Sequence, residues 1–124
     1  MTKVLFSINP KHVESILSGK KRVEYRKTLC RRSFDNVLIY STAPVQRVVA
    51  QAKLKKILVD NPDNIWELTK EKSGVSRKFF MDYFAGKKYA VAYELEDIEK
   101  LPEPKLLRDF GLGYVPQSFA YVSK

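Results

Sequence analysis

Gly19-Lys20-Lys21-Arg22-Val23-Glu24-Tyr25-Arg26-Lys27 sets one carboxylate, Glu24, among five cationic side chains, directly after a short predicted helix. Its alternation predicts a strand with Arg22, Glu24 and Arg26 on one face and Val23 and Tyr25 on the other. Val23 and Tyr25 are expected in the core, and the charged set is expected to face a groove. In a cleft, such a cluster binds anions.

Charge is distributed unevenly around this stretch. Residues 1–60 hold 13 Lys and Arg against 4 Asp and Glu, whereas residues 61–124 hold 10 of each, so the net charge of +9 lies in the first half. Within residues 20–32, seven bases (Lys20, Lys21, Arg22, Arg26, Lys27, Arg31, Arg32) face the single acid Glu24. Asymmetry of this kind suits a polyanion, of which nucleic acid is the commonest. The plainer reading is a solvated basic face.

At 124 residues the chain reads as one domain, 1–124, long enough to bury roughly two-thirds of its unfolded surface. A single cysteine, Cys30, excludes an internal disulfide and a thiolate-rich zinc site. A single histidine, His12, excludes a multi-histidine metal centre. No metal or cofactor is expected. Cys30 reads as a semi-buried structural thiol rather than a dyad partner of His12, and His12 as an exposed residue of a first helical turn. No apolar run approaches the roughly 20 residues of a membrane span. The N-terminus has no signal-peptide layout, so the chain reads as cytoplasmic, with no membrane partner.

Outward from the opening stretch, strands and helices alternate irregularly. Val4–Ile8 is a short apolar strand, followed by Asn9-Pro10 as a helix cap and first helical position. Val13, Ile16 and Leu17 form the apolar face of that helix, and Gly19 stops it. Residues 36–42 and 47–59 read as strands, with Ala43-Pro44 as the turn between them. Residues 61–64 open a second helix with Asn64 as its cap and Glu67 three positions on; Ser73-Gly74 breaks it. A third helix, capped by Ser76, carries Phe79, Phe80, Tyr83 and Phe84 as a core flank and stops at Gly86. Residues 89–95 form the next strand, with Ala90 and Ala92 admitting a close neighbouring layer. Residues 102–116 read as irregular apart from a turn at 106–110, and 118–122 as a last strand. Five to six strands with inserted helices, without regular β-α-β repetition, predict an α+β domain built on a small β-barrel.

The motif G-x-K-x-x-E-x-R directly after the first helix, here Gly19, Lys21, Glu24 and Arg26, resembles the hallmark of the ASCH domains, relatives of the PUA-like RNA-binding barrels. The likeness extends to Phe6-Ser7-Ile8-Asn9-Pro10, Leu38-Ile39-Tyr40-Ser41-Thr42, Tyr83-Phe84-Ala85-Gly86 before Tyr89-Ala90-Val91-Ala92, and Pro116 to Val122. It implies a PUA-like barrel with a cleft beside the first helix that holds RNA or a nucleotide, single-stranded, in RNA metabolism or translation-linked regulation. Lys21 then supplies a point charge, and Arg26 a planar fork for phosphate. Glu24 either orients those cations or accepts from a base edge or sugar hydroxyl. Lys20, Arg22, Lys27, Arg31 and Arg32 track the backbone outside the cleft.

Three alternatives stand beside this reading. Glu24 with Arg26 or Lys21 can form a structural lock at the helix-to-strand junction. Some ASCH-like proteins are hydrolases, ribonucleases or N4-acetylcytidine amidohydrolases, and in this chain Lys21 and Glu24 are the catalytic candidates. The amidohydrolase branch uses a threonine three residues after the lysine, where this chain has Glu24, and a later acid that only Glu71 matches loosely. The basic face can also hold an acidic protein. The sequence sets no oligomeric state.

Overall fold

The computed structural model describes residues 2–122. Its first strand, β1 (Lys3–Ile8), is apolar throughout its centre because it is buried on both faces: Val4, Phe6 and Ile8 pack to one side and Leu5 to the other. At its end Asn9 accepts a hydrogen bond from the Lys11 amide at 2.8 Å, and Pro10 begins α1 (Pro10–Leu17). Val13 and Ile16 turn inward, and Gly19, at φ +85°, ends the turn and sends the chain toward β2 (Val23–Arg26). Next come β3 (Asn36–Ser41), β4 (Arg47–Asp60), α2 (Pro62–Thr69), a 3-10 turn at Lys70–Lys72, α3 (Arg77–Tyr83), β5 (Ala90–Lys105), a 3-10 turn at Leu107–Phe110 and β6 (Phe119–Val122).

The strands form one sheet in the order β2-β5-β4-β3-β1-β6, curled into a half-barrel. β1 runs parallel to β3, from Lys3↔Asn36 to Ile8↔Ser41, and antiparallel to β6. Phe6, Ile8, Ile39, Tyr93 and the α1 residues Val13 and Ile16 fill the curl. On the opposite face of the β2–β5 pair, Val23, Tyr25, Ala90 and Ala92 meet Ile65 of α2 and Phe80 of α3, with Phe84 just beyond α3; the two alanines let this layer approach closely. This is the α+β barrel architecture expected.

Three local expectations are corrected. Asn61, not Asn64, caps α2: its side chain accepts from the Asn64 amide at 2.9 Å and Pro62 takes the first position, repeating the Asn-Pro start of α1. The strand expected at 89–95 continues to Lys105. Its register against β4 jumps from Ala50↔Lys100 to Val48↔Lys105, so Pro102 and Pro104 fall in looped-out residues where no ladder donor is needed. The aromatic flank of the third helix divides. Positions 80 and 84 point inward at 1% and 2% exposure. Positions 79 and 83, one residue earlier in each turn, face sideways, with Phe79 47% exposed.

Candidate functional site

Where β1 ends, α1 begins and β2 leaves α1, the chain encloses a pocket of about 180 Å³. Ser7, Ile8 and Asn9 form one wall, and His12 of α1 stands beside them. Lys21, Glu24, Tyr25 and Arg26 line it from the junction and β2, and Phe79 and Tyr83 from α3. Lys21, Glu24 and Arg26 thus line one pocket, whereas alternation alone groups Arg22, not Lys21, with Glu24 and Arg26. Glu24 pairs with Tyr93 and Arg26 with Val91 across the ladder, and both partners lie in the cluster filling the barrel, so the two charged side chains face its mouth.

Arg26 is committed to the protein. Its Nη2 pairs with Glu24 Oε2 at 2.8 Å and donates to the Ser7 carbonyl at 2.9 Å; its Nη1 donates to Ser118 Oγ at 3.0 Å and to the Ser118 carbonyl at 3.4 Å. The guanidinium carbon lies 4.9 Å from the Phe6 ring centroid, and Nε is buried without a hydrogen-bond partner. β2 and β6 are the two edges of the sheet, so this one side chain ties one edge to the chain entering the other. The fork expected to be open for phosphate is therefore filled by carbonyls, a hydroxyl and Glu24.

Lys21 is different. It is 2% exposed, yet it forms no ion pair with any described residue. Its Nζ donates to the Ser73 carbonyl at 3.0 Å and lies 4.8 Å from the Tyr25 ring centroid. Gly74, at φ +67°, presses on the lysine stem, and a Cβ there would come within 2.5 Å of Lys21 Cβ. Burial holds the ammonium below the ordinary lysine value, with Glu24 opposing the shift and Arg26 adding to it. With Glu24 matched to Arg26, the pocket keeps one buried positive charge lacking a counter-charge, which low-dielectric surroundings make costly.

The other titratable groups are tuned by the same confinement. Burial lowers the His12 imidazole below its usual value; Lys21 adds to that shift and Glu24 opposes it. Tyr25 is pushed up to about 12, mainly by burial, and its hydroxyl is 2.6 Å from Thr69 Oγ1. Burial also raises Tyr83, with Arg26 opposing and Glu24 adding. Tyr25 is 7% exposed and belongs to the core as expected, with one edge reaching the pocket.

The remaining predicted positions lie outside the pocket. Lys20 is exposed at the junction. Arg22 does not share the face of Glu24: it precedes β2 and lines a separate hollow with Lys55, Lys72 and Glu94, because its amide bonds to the Lys72 carbonyl at 2.9 Å and fixes the turn there. Lys27 stands 4.5 Å from the Tyr83 ring centroid, flanking the pocket. Arg31 and Arg32 are exposed beside Tyr121, whose hydroxyl accepts from both their amides. Glu71 is exposed in the 3-10 turn and does not line the pocket. Cys30 is buried beside Tyr93, whose hydroxyl accepts from its amide at 2.8 Å.

Sequence reasoning missed His12, which is half-buried in the wall rather than exposed, along with Phe79, Tyr83, Ser118 and the Ser73-Gly74 turn that seats Lys21. Ser76 after a glycine and an aromatic pair four residues apart were the available signals for the α3 wall. Among the described residues no group of three His, Cys, Asp or Glu side chains could hold a metal ion, and no helix is long and apolar enough to cross a membrane.

Comparisons with known proteins agree with the architecture. Residues 1–122 match the family described as a domain of unknown function, DUF365. The chain is 31% identical over 120 residues to ATP synthase subunit alpha of Ureaplasma parvum, covering 96% of this chain but only 15% of that relative's length. It is 28% identical over 126 residues to an ASCH domain-containing ribonuclease of Zymomonas mobilis, covering 98% of this chain and 85% of the relative. The crystal structure of the ASCH protein of Zymomonas mobilis superposes with a TM-score of 0.89 at 28% identity, covering 98% of this chain and 88% of that one. With the PUA-like sheet and the hallmark residues gathered at the barrel mouth, the chain belongs to the DUF365 family and carries an ASCH domain.

Proposed function

We propose that this protein binds single-stranded RNA by seating a phosphate or another anionic group of one nucleotide against Lys21. The observation that carries this reading is the buried Lys21 ammonium without a carboxylate partner among the described residues, in a pocket open to solvent. An entering anion supplies the missing counter-charge, and two ammonium hydrogens remain for it after the bond to Ser73. Glu24 and Arg26 hold the mouth of the barrel in shape through their 2.8 Å ion pair, and Glu24 also lines the pocket that the anion enters. Lys20, Lys27, Arg31 and Arg32, all exposed, attract the flanking backbone. The ribonuclease relative supports RNA as the polyanion.

Fluorescence anisotropy with labelled single-stranded RNA tests this. If about four phosphates are engaged, log affinity falls with log salt at a slope near −3, roughly −0.7 per contact. Lys21→Ala is expected to weaken binding by about tenfold or more, the scale of one hydrogen bond to a charged group. A flat salt response, or equal binding by Lys21→Ala, contradicts the reading.

A second reading is favoured by the same relative and by the lysine's lowered proton affinity: hydrolysis of RNA or of an acetylated nucleoside, with Lys21 and Glu24 as the acting pair. Incubation with RNA and with N4-acetylcytidine, wild type against Lys21→Ala, decides it; turnover no greater than that of the variant removes it.

A further inference from the structure

The pocket around Lys21, at about 180 Å³, falls below the roughly 300 to 1,000 Å³ of sites that enclose a whole small ligand. A pocket of that size suits one part of a nucleotide rather than the whole. A second hollow of about 420 Å³ adjoins it and shares Asn9, His12 and Phe79 as a common wall. Lys11, Ser15 and Ser76 also line this second hollow, and no carboxylate does. The wall itself is aromatic: the His12 and Phe79 rings meet edge to face with centroids 5.3 Å apart, and Phe79, though apolar, is 47% exposed. An apolar ring left open between a buried cation and a basin carrying one lysine has the chemistry of a base-stacking platform.

We infer that Phe79 is a stacking platform between two adjoining subsites, so that the RNA recognised is a single-stranded segment of at least two nucleotides, one anchored at Lys21 and the next lying in the hollow bounded by Lys11, Ser15 and Ser76. This rests on the RNA reading above and specifies its ligand. The second hollow supplies neutral hydroxyls and one cation, suited to a base edge and one backbone phosphate without selecting strongly among bases.

Calorimetry with uridine 5′-monophosphate and with 5′-phosphorylated di- and tetra-uridylates tests the inference on wild type, Phe79→Ala, Phe79→Tyr and Lys21→Ala. Wild type is expected to gain about tenfold or more in affinity from mono- to dinucleotide, the scale of one base stacked on an aromatic ring. Phe79→Ala should erase that step, so that the variant binds mono- and dinucleotide equally whatever its affinity for the mononucleotide, and Phe79→Tyr should restore it. Equal affinity for mono- and dinucleotide, or a step that survives Phe79→Ala, overturns the two-subsite inference while Lys21-dependent binding still stands. Binding indifferent to Lys21→Ala, or none by wild type, overturns the RNA reading and this inference with it.

Discussion

Lys21 and Gly74 are in contact across 53 positions of sequence: a Cβ on the glycine would meet the lysine Cβ at 2.5 Å, and the preceding carbonyl, of Ser73, takes the lysine ammonium at 3.0 Å. The side chain offered to an incoming anion is thus fixed at its stem by one residue and at its tip by the one before it.

Gly74→Ala should therefore cost more than a left-handed backbone alone. Gly86 offers the control, since it sits at φ +77° and a Cβ there would have nothing within 4 Å. Gly86→Ala is expected to lose about 1 to 2 kcal/mol of stability for the left-handed conformation. Gly74→Ala should lose clearly more, because the opposing atoms belong to the base of a side chain and cannot swing away. Urea denaturation of the two variants gives the comparison, and equal losses would contradict the packing described.

Breaking the Glu24–Arg26 pair should be expensive. Their side chains are 9% and 11% exposed, so Arg26→Ala strands a nearly buried carboxylate and unties Ser7 from Ser118. A loss of about 3 to 5 kcal/mol is expected. Adding Glu24→Gln to Arg26→Ala should recover part of it, because the stranded carboxylate is then neutral and only the Lys21 charge that the wild type also carries remains. Urea midpoints of the single and double variants check this, and a double variant no more stable than Arg26→Ala would contradict it.

His12 predicts a pH signature. Burial keeps the folded imidazole below the usual 6.5, with Lys21 and Lys11 adding to the shift and Glu24 opposing it. As pH falls, the unfolded chain takes up this proton first, so the stability contributed by neutral His12 is lost from 6.5 downward to the folded value. Wild type should lose stability relative to His12→Gln as pH falls below the ordinary imidazole value of 6.5, as measured by paired denaturation curves. Parallel curves would contradict the burial of the ring.

The barrel and the hallmark junction were legible because their signals are local. Asn9-Pro10 starts α1, Gly19 ends it, and the alternation from Val23 to Arg26 sets which side chains face the mouth. What escaped the sequence depends on distant closure. The support of Lys21 comes from Ser73, and the occupation of the Arg26 fork from Ser118, 92 positions away, once the sheet curls far enough to bring its edges together. His12 looked exposed because the roll of α1 is set by Val13 and Ile16 entering the barrel, which turns its neighbour toward Lys21. β5 runs past its expected end at Leu95 because Glu96, Glu99 and Lys100 still pair with β4, and the register slip beyond Lys100 spares Pro102 and Pro104 from supplying a ladder donor.

The central claim is that Lys21 is a buried cation waiting for an anion, and the Lys21 side-chain pKa, followed by NMR with and without uridine 5′-monophosphate, tests it most directly. The account predicts a free-protein value below the ordinary 10.5 that moves upward when the nucleotide binds, since a bound anion favours the charged form. A Lys21 value that does not move while the nucleotide binds would contradict it.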